Sequence, residues 1–85
     1  MANLKFSAQA WEDYLYWQAC DKKKVKRINA LLKDCVRNPY EGIGKPEPLK
    51  GNFTTWWSRR ISEVDRMVYK FENNTLIIAQ LRYRY

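Results

Sequence analysis

The spacing of apolar and polar positions predicts two helices followed by a meander of strands. Leu4-Lys5-Phe6 is a short apolar-polar-apolar run that reads as a strand, and Ser7 is placed to cap a helix beginning at Ala8. Trp11, Tyr14, Leu15 and Gln18 then recur at spacings of three and four. That spacing predicts a buried face carrying Trp11 and Tyr14 into the core, with Glu12, Asp13 and Tyr16 turned outward. The helix is expected to end near Cys20. Asp21 is a good cap for a second helix running to about Arg37, in which Val25, Ile28, Leu31, Leu32, Cys35 and Val36 form an apolar stripe.

All three glycines and all three prolines fall between Pro39 and Gly51, a composition that excludes helix interior and central strand and predicts a loop stiffened by Pro46 and Pro48. Downstream, Trp56 to Phe71 reads as two strands joined by Ser62-Glu63-Val64-Asp65, because Trp, Ile, Val, Tyr and Phe flank that polar turn. Asn73-Asn74 fits a tight hairpin, since Asn tolerates positive φ. Thr75 to Leu81 then reads as a buried strand whose alternation sends Ile77, Ala79, Leu81 and Tyr83 one way and Leu76, Ile78, Gln80 and Arg82 the other. The expectation is a single α+β domain over residues 1–85, with the helices on one side of an antiparallel sheet.

Composition agrees with a small folded domain. The chain has 85 residues, 46% hydrophobic and 15% aromatic, enough for one core and too short for two. No apolar run approaches the roughly 20 residues that span a bilayer, and the N-terminus lacks the apolar stretch of a secretory signal. A cytoplasmic protein is therefore expected, with Cys20 and Cys35 as free thiols. Zinc is not expected, with no histidine and no paired-cysteine spacing.

Charge changes the picture more. Sixteen Lys and Arg against nine Asp and Glu give +7, which favours an anionic partner. Lys22, Lys23 and Lys24 crowd the first turn of the second helix, where the dipole disfavours cations, and Lys26, Arg27, Lys33 and Arg37 continue a basic stripe. A solvated surface and a polyanion-binding face both fit that stripe. Arg59, Arg60 and Arg66 interrupt the two central strands; they fit outward polar positions of an ordinary sheet, or a sheet face that meets an anion.

Metal-free RNA cleavage needs a base for the 2′-hydroxyl, cations for the charge developing on phosphorus, an acid for the leaving 5′-oxygen, and stacking surfaces. The chain offers Glu47 as base, Arg60, Arg66, Lys45 and Lys50 as cations, and Trp56, Trp57, Tyr83 and Tyr85 for stacking. Composition alone fits a plain RNA-binding module equally well, and Glu47 could be a loop carboxylate paired with Lys45 or Lys50.

Several blocks in fixed order narrow this. Trp11 to Gln18, Lys26-Arg27-Ile28-Asn29, Gly44-Lys45-Pro46-Glu47-Pro48-Leu49-Lys50, Trp57-Ser58-Arg59-Arg60-Ile61 and Arg66-Met67-Val68-Tyr69 resemble the YoeB/Txe toxins of the RelE superfamily over nearly the whole chain. The resemblance implies a RelE-like fold and an endoribonuclease that cleaves mRNA in the A site of the 70S ribosome without a cofactor. It also implies neutralisation by a YefM-like antitoxin, a homodimer, and operator DNA contacted through the antitoxin. Residue by residue, it assigns Glu47 as general base, Arg66 as the arginine stabilising the cleaving phosphate, Arg60 and Lys50 as supporting cations, and Tyr85 as the C-terminal tyrosine. With Trp57, Lys45 and the helix lysines Lys22, Lys23 and Lys26 as further RNA contacts, these are the candidate site. Arg84 stands where the family has its general-acid histidine, and Val64-Asp65-Arg66 replaces Glu-His-Arg. A guanidinium with a pKa above about 12 keeps its proton, so weakened cleavage is expected, the alternative being a variant that only binds ribosome and antitoxin.

Overall fold

The computed structural model describes residues 2–51 and 55–83. Strand β1 (Asn3–Phe6) leads into α1 (Ala8–Cys20) and α2 (Lys22–Arg37), followed by β2 (Glu47–Pro48), β3 (Trp57–Arg60), β4 (Arg66–Glu72) and β5 (Thr75–Gln80). Ser7 Oγ accepts the Ala10 amide at 3.0 Å, as its cap position predicted. Asp21 serves both helices: its amide bonds the Trp17 carbonyl at 2.8 Å, and its Oδ1 accepts the amides of Lys23 and Lys24. That carboxylate also offsets the lysines crowded at the helix N-terminus, with Lys24 Nζ 3.6 Å away.

The α2 stripe forms as its spacing predicts, with Ile28, Leu31, Leu32 and Cys35 buried against Met67, Tyr69 and Ile78. Each fully buried aliphatic side chain contributes about 1.5–3 kcal/mol. Cys20 and Cys35 are free thiols, and burial pushes Cys35 up to about 11, so it stays protonated and unreactive at neutral pH. The α1 face differs from expectation. Ala10, Asp13 and Trp17 are buried, whereas Trp11 is 51% and Leu15 39% exposed. Asp13 goes inside because Leu81 supplies an amide for its carboxylate, and Trp17 because the Leu81 carbonyl accepts its indole N–H.

The sheet order is β1-β5-β4-β3-β2. It is mixed rather than antiparallel, because β1 runs parallel to β5, with Phe6 opposite Ile78. That direction delivers the chain to the α1 cap, where Ser7 bonds the Ile78 and Ala79 carbonyls. A second correction concerns the loop: Glu47–Pro48 pairs with Trp57–Ser58 as a two-residue edge strand, a place where proline's missing N–H does no harm. The third is a bulge. Val68 lies opposite Gln80 but Tyr69 opposite Ile78, so β5 carries one extra residue at Ala79. It breaks the predicted alternation, and Leu76, Ile78 and Leu81 all enter the core. The Asn73-Asn74 turn has φ of 51° and 54°, as the hairpin required. Among the described residues, no helix is long and apolar enough to cross a membrane.

Candidate active site

The site is built on the sheet face turned away from the helices. Trp57, Arg59, Met67 and Tyr69 pack toward α1 and α2, so the pleat turns their neighbours Ser58, Arg60, Arg66 and Val68 to the opposite face. Glu47 lies directly opposite Ser58 and shares that face. Arg60 and Arg66 are cross-strand partners. Glu47 and Arg66 are two strands and two residues apart, a Cα separation of about 12 Å from strand geometry, which their side chains can close to the size of a phosphodiester.

The loop delivering Glu47 is fixed by Arg59, which is completely buried. Its Nη1 bonds Asp34 Oδ2 at 2.6 Å and the Ile43 carbonyl at 3.2 Å, its Nη2 the carbonyls of Asn38 and Glu41 at 2.6 and 2.8 Å, and its Nε the Tyr69 hydroxyl at 3.2 Å. All five donors are used. The Arg59 hydrogen bond, helped by the Ile43 amide, holds the Asp34 carboxyl below the usual range, while Tyr69, its phenol pushed upward by burial, donates to the Pro39 carbonyl at 2.7 Å. Gly42 and Gly44 let the loop lie this close. A Cβ on Gly42 would collide with Asp34 Oδ2, and one on Gly44 would come within 2.6 Å of Leu31 Cδ2. The Arg60 amide then bonds the Gly44 carbonyl at 2.7 Å, which seats Lys45, Pro46 and Glu47 beside β3. Arg59 is thus neither an outward polar residue nor an anion contact. It is the internal anchor of the loop.

Arg60 is exposed at the end of β3, its carbonyl accepting Arg27 Nη2 at 3.3 Å. Arg66 is half-buried, with Nη1 held by the carbonyls of Ser62, Glu63 and Asp65 at 2.7, 3.1 and 3.2 Å. These bonds orient its guanidinium. Lys45 and Lys50 are exposed on the loop, Lys45 in the left-handed region at φ 51°. The structure therefore groups Glu47, Arg60 and Arg66, with Lys45 and Lys50 on the chain flanking Glu47.

It does not bring the other candidates to the same face. Trp57 turns to the helix side, its ring 4.9 Å from that of Tyr40. Lys22, Lys23 and Lys26 are exposed on α2, behind the sheet. Their helix does border the end carrying Arg60 and Arg66, through Arg27 and through Lys24, whose Nζ lies 3.9 Å from Asp65 Oδ2. Arg84 and Tyr85 lie outside the described residues. Sequence reasoning missed Ser58, 1% exposed opposite Glu47; its two-residue spacing from Arg60 was the available signal. It also missed Arg59 and Asp65 as buried hubs, for which no sequence signal stands out. Among the described residues, no three Cys, Asp or Glu side chains converge to hold a metal ion.

Comparison with known proteins shows which family the chain belongs to. Residues 6–85 match the model of the YoeB-like toxin of bacterial type II toxin-antitoxin systems. The chain is 55% identical to Toxin YoeB of Escherichia coli K12, over 96% of this chain and 98% of that protein. The YoeB dimer from Staphylococcus aureus superposes with a TM-score of 0.92 at 53% identity, covering 99% of this chain and 98% of that one. A YoeB-YefM complex from Staphylococcus aureus gives 0.90 at 51%, covering 100% and 99%. A likeness this close over nearly the full length of every chain shows the family: the protein belongs to the YoeB-like toxins of bacterial type II toxin-antitoxin systems.

Proposed function

We propose that the protein is a ribosome-dependent endoribonuclease that cuts mRNA in the A site of the 70S ribosome, more slowly than relatives with a C-terminal His-Tyr. Glu47 takes the proton of a 2′-hydroxyl, whose oxygen attacks the adjacent phosphorus as the bond to the 5′-oxygen breaks. The products are a 2′,3′-cyclic phosphate and a 5′-hydroxyl. Arg66 and Arg60 hold the negative charge that builds on the phosphoryl oxygens, and Lys45 and Lys50 bind the neighbouring backbone. The scheme uses side chains alone. The observation that carries it is the register, in which Glu47, the carboxylate between Pro46 and Pro48, shares the helix-free face with two cross-strand arginines.

The departing 5′-oxygen needs a proton. Arg84 keeps its own near neutrality and serves as a charge stabiliser, leaving Tyr85 or a ribosomal group to supply it. The YefM complex and the dimer of the Staphylococcus aureus relatives support a YefM-like antitoxin and a homodimer for this chain. Contact with operator DNA through the antitoxin is part of the same proposal and rests on the family resemblance alone.

Toe-printing on translating 70S ribosomes is expected to show breaks confined to the A-site codon, with free RNA left intact. No breaks at high protein concentration would favour the second reading, a binder that keeps ribosome and antitoxin contacts without cleaving, which the arginine at position 84 favours. Arg84→His is expected to raise the cleavage rate about tenfold or more, because it restores a group able to give up a proton near neutrality. An unchanged rate would remove the argument from the missing acid.

A further inference from the structure

Glu47 has two diagonal neighbours on the β3 side of the sheet. It stands opposite Ser58, so Arg60 lies two residues beyond its partner in one direction and Trp56 two residues in the other, each about 7–8 Å away, a spacing that aromatic and long side chains span. Trp56 belongs to the same ladder, because its carbonyl accepts the Leu49 amide at 2.9 Å. Its ring is on the helix-free face. Trp57 packs toward the helices, while Lys70, between the core-facing Tyr69 and Phe71, turns the other way and places its Nζ 4.8 Å from the centre of the Trp56 ring. Glu72 Oε1 lies 3.3 Å from that ammonium and holds it from the next position on the same face. The Trp56 ring is half-buried, so part of it meets solvent.

The face therefore carries, in order along β3, an aromatic ring, a carboxylate opposite Ser58, and the cross-strand pair Arg60 and Arg66. An RNA nucleotide has the same order: the base on C1′, the 2′-hydroxyl beside it, and the phosphate on the 3′-oxygen. With the 2′-hydroxyl at Glu47 and the phosphate at the arginines, the base falls on the Trp56 side. A third point of contact is needed there, because a hydroxyl and a phosphate held alone leave the ribose free to turn about the line between them. An indole suits that task, since every base offers a π face and stacking on it tolerates any sequence.

We infer that Trp56, its ring held by Lys70, is a substrate-binding residue: it is the stacking platform for the base of the nucleotide whose 2′-hydroxyl attacks. This rests on the ribonuclease reading above and names the contact that orients its substrate between Glu47 and the arginines.

The test measures single-turnover A-site cleavage on 70S ribosomes by the full-length chain, Trp56→Phe and Trp56→Leu. Each acts on two mRNAs, one unmodified and one with an abasic ribonucleotide, which keeps its 2′-hydroxyl, immediately 5′ to the break. Trp56→Leu should slow cleavage of the unmodified mRNA about 5- to 150-fold, the range that loss of one base–aromatic stack produces, with KM for ribosomes unchanged. Trp56→Phe should keep most of the rate. The abasic mRNA should slow the unaltered chain by a similar factor and slow Trp56→Leu no further, a coupling that simple loss of fold stability would not produce. Cleavage by Trp56→Leu at the normal rate overturns the assignment. So does a loss in Trp56→Leu as large on the abasic mRNA as on the unmodified one, which would put a ribosomal RNA base on the ring instead. A second measurement needs neither cleavage nor a folded Trp56→Leu: the indole N–H resonance of Trp56 in the unaltered chain should shift on titration with the trinucleotide ApApA, and shift less when its middle base is removed. If the unaltered chain cuts no ribosome-bound mRNA, the ribonuclease reading fails by itself, and equal shifts with the two trinucleotides then overturn the base contact as well.

Discussion

Replacing Glu47 with alanine is expected to lower A-site cleavage by about 10²–10⁴-fold, the range that loss of a general base produces, while ribosome binding stays within about twofold. Structure makes the two effects separable. Glu47 is exposed on a two-residue edge strand whose backbone is restrained by Pro46 and Pro48, so removing its side chain leaves the pairing with β3 in place. Glu47→Gln should be as inactive as Glu47→Ala, since the amide keeps the shape and cannot take a proton. Single-turnover cleavage rates and co-sedimentation with 70S ribosomes measure the two quantities. Cleavage by Glu47→Gln at the normal rate would remove Glu47 as the base, whatever its position on the face.

Arg59→Met should destabilise the fold by about 3 kcal/mol, the low end for breaking a buried ion pair, because Asp34 retains partial contact with solvent. Against a total of about 4–13 kcal/mol for a domain of this length, that is a large share. The substitution strips partners from the carbonyls of Asn38, Glu41 and Ile43 together with Asp34 and the Tyr69 hydroxyl. Arg59→Lys should rescue little, since an ammonium has three donors where five are used. The same contact predicts a pH signature. Asp34 titrates below its ordinary value when folded, so its contribution is complete above about pH 4, the unfolded value, and is lost as pH falls through the folded one. Arg59→Met should flatten the acid limb of stability against pH. Urea unfolding from pH 2 to 7 checks both points, and a midpoint shift worth less than about 1 kcal/mol would show that the loop is held by other means.

The parts legible in the sequence are those fixed by local chemistry. Ser7 and Asp21 bond their helix termini as capping residues do, the α2 stripe repeats cleanly, and Asn73-Asn74 tolerates the φ its turn demands. Glu47, Arg60 and Arg66 were legible as candidates because few residue types suit metal-free phosphate chemistry, and the family resemblance ordered them. What was not legible depends on partners distant in sequence. Asp13 and Trp17 are buried only because Leu81, more than sixty residues away, completes their hydrogen bonds. Arg59 reads as a surface arginine until the 38–43 loop folds over it. The parallel pairing of β1 and the Glu47–Pro48 strand are too short to leave a periodic trace.

The extra residue at Ala79 makes β5 a counting device. Without it, the pleat would carry Leu81 to the helix-free face and out of the core that it now shares with Leu76 and Ile78. A single-residue deletion between Ile78 and Gln80 would therefore act like a frameshift of geometry, leaving composition nearly intact while taking Leu81 away from its bonds with Asp13 and Trp17. In this fold β5 tolerates exchange of side chains far better than any change in its number of residues.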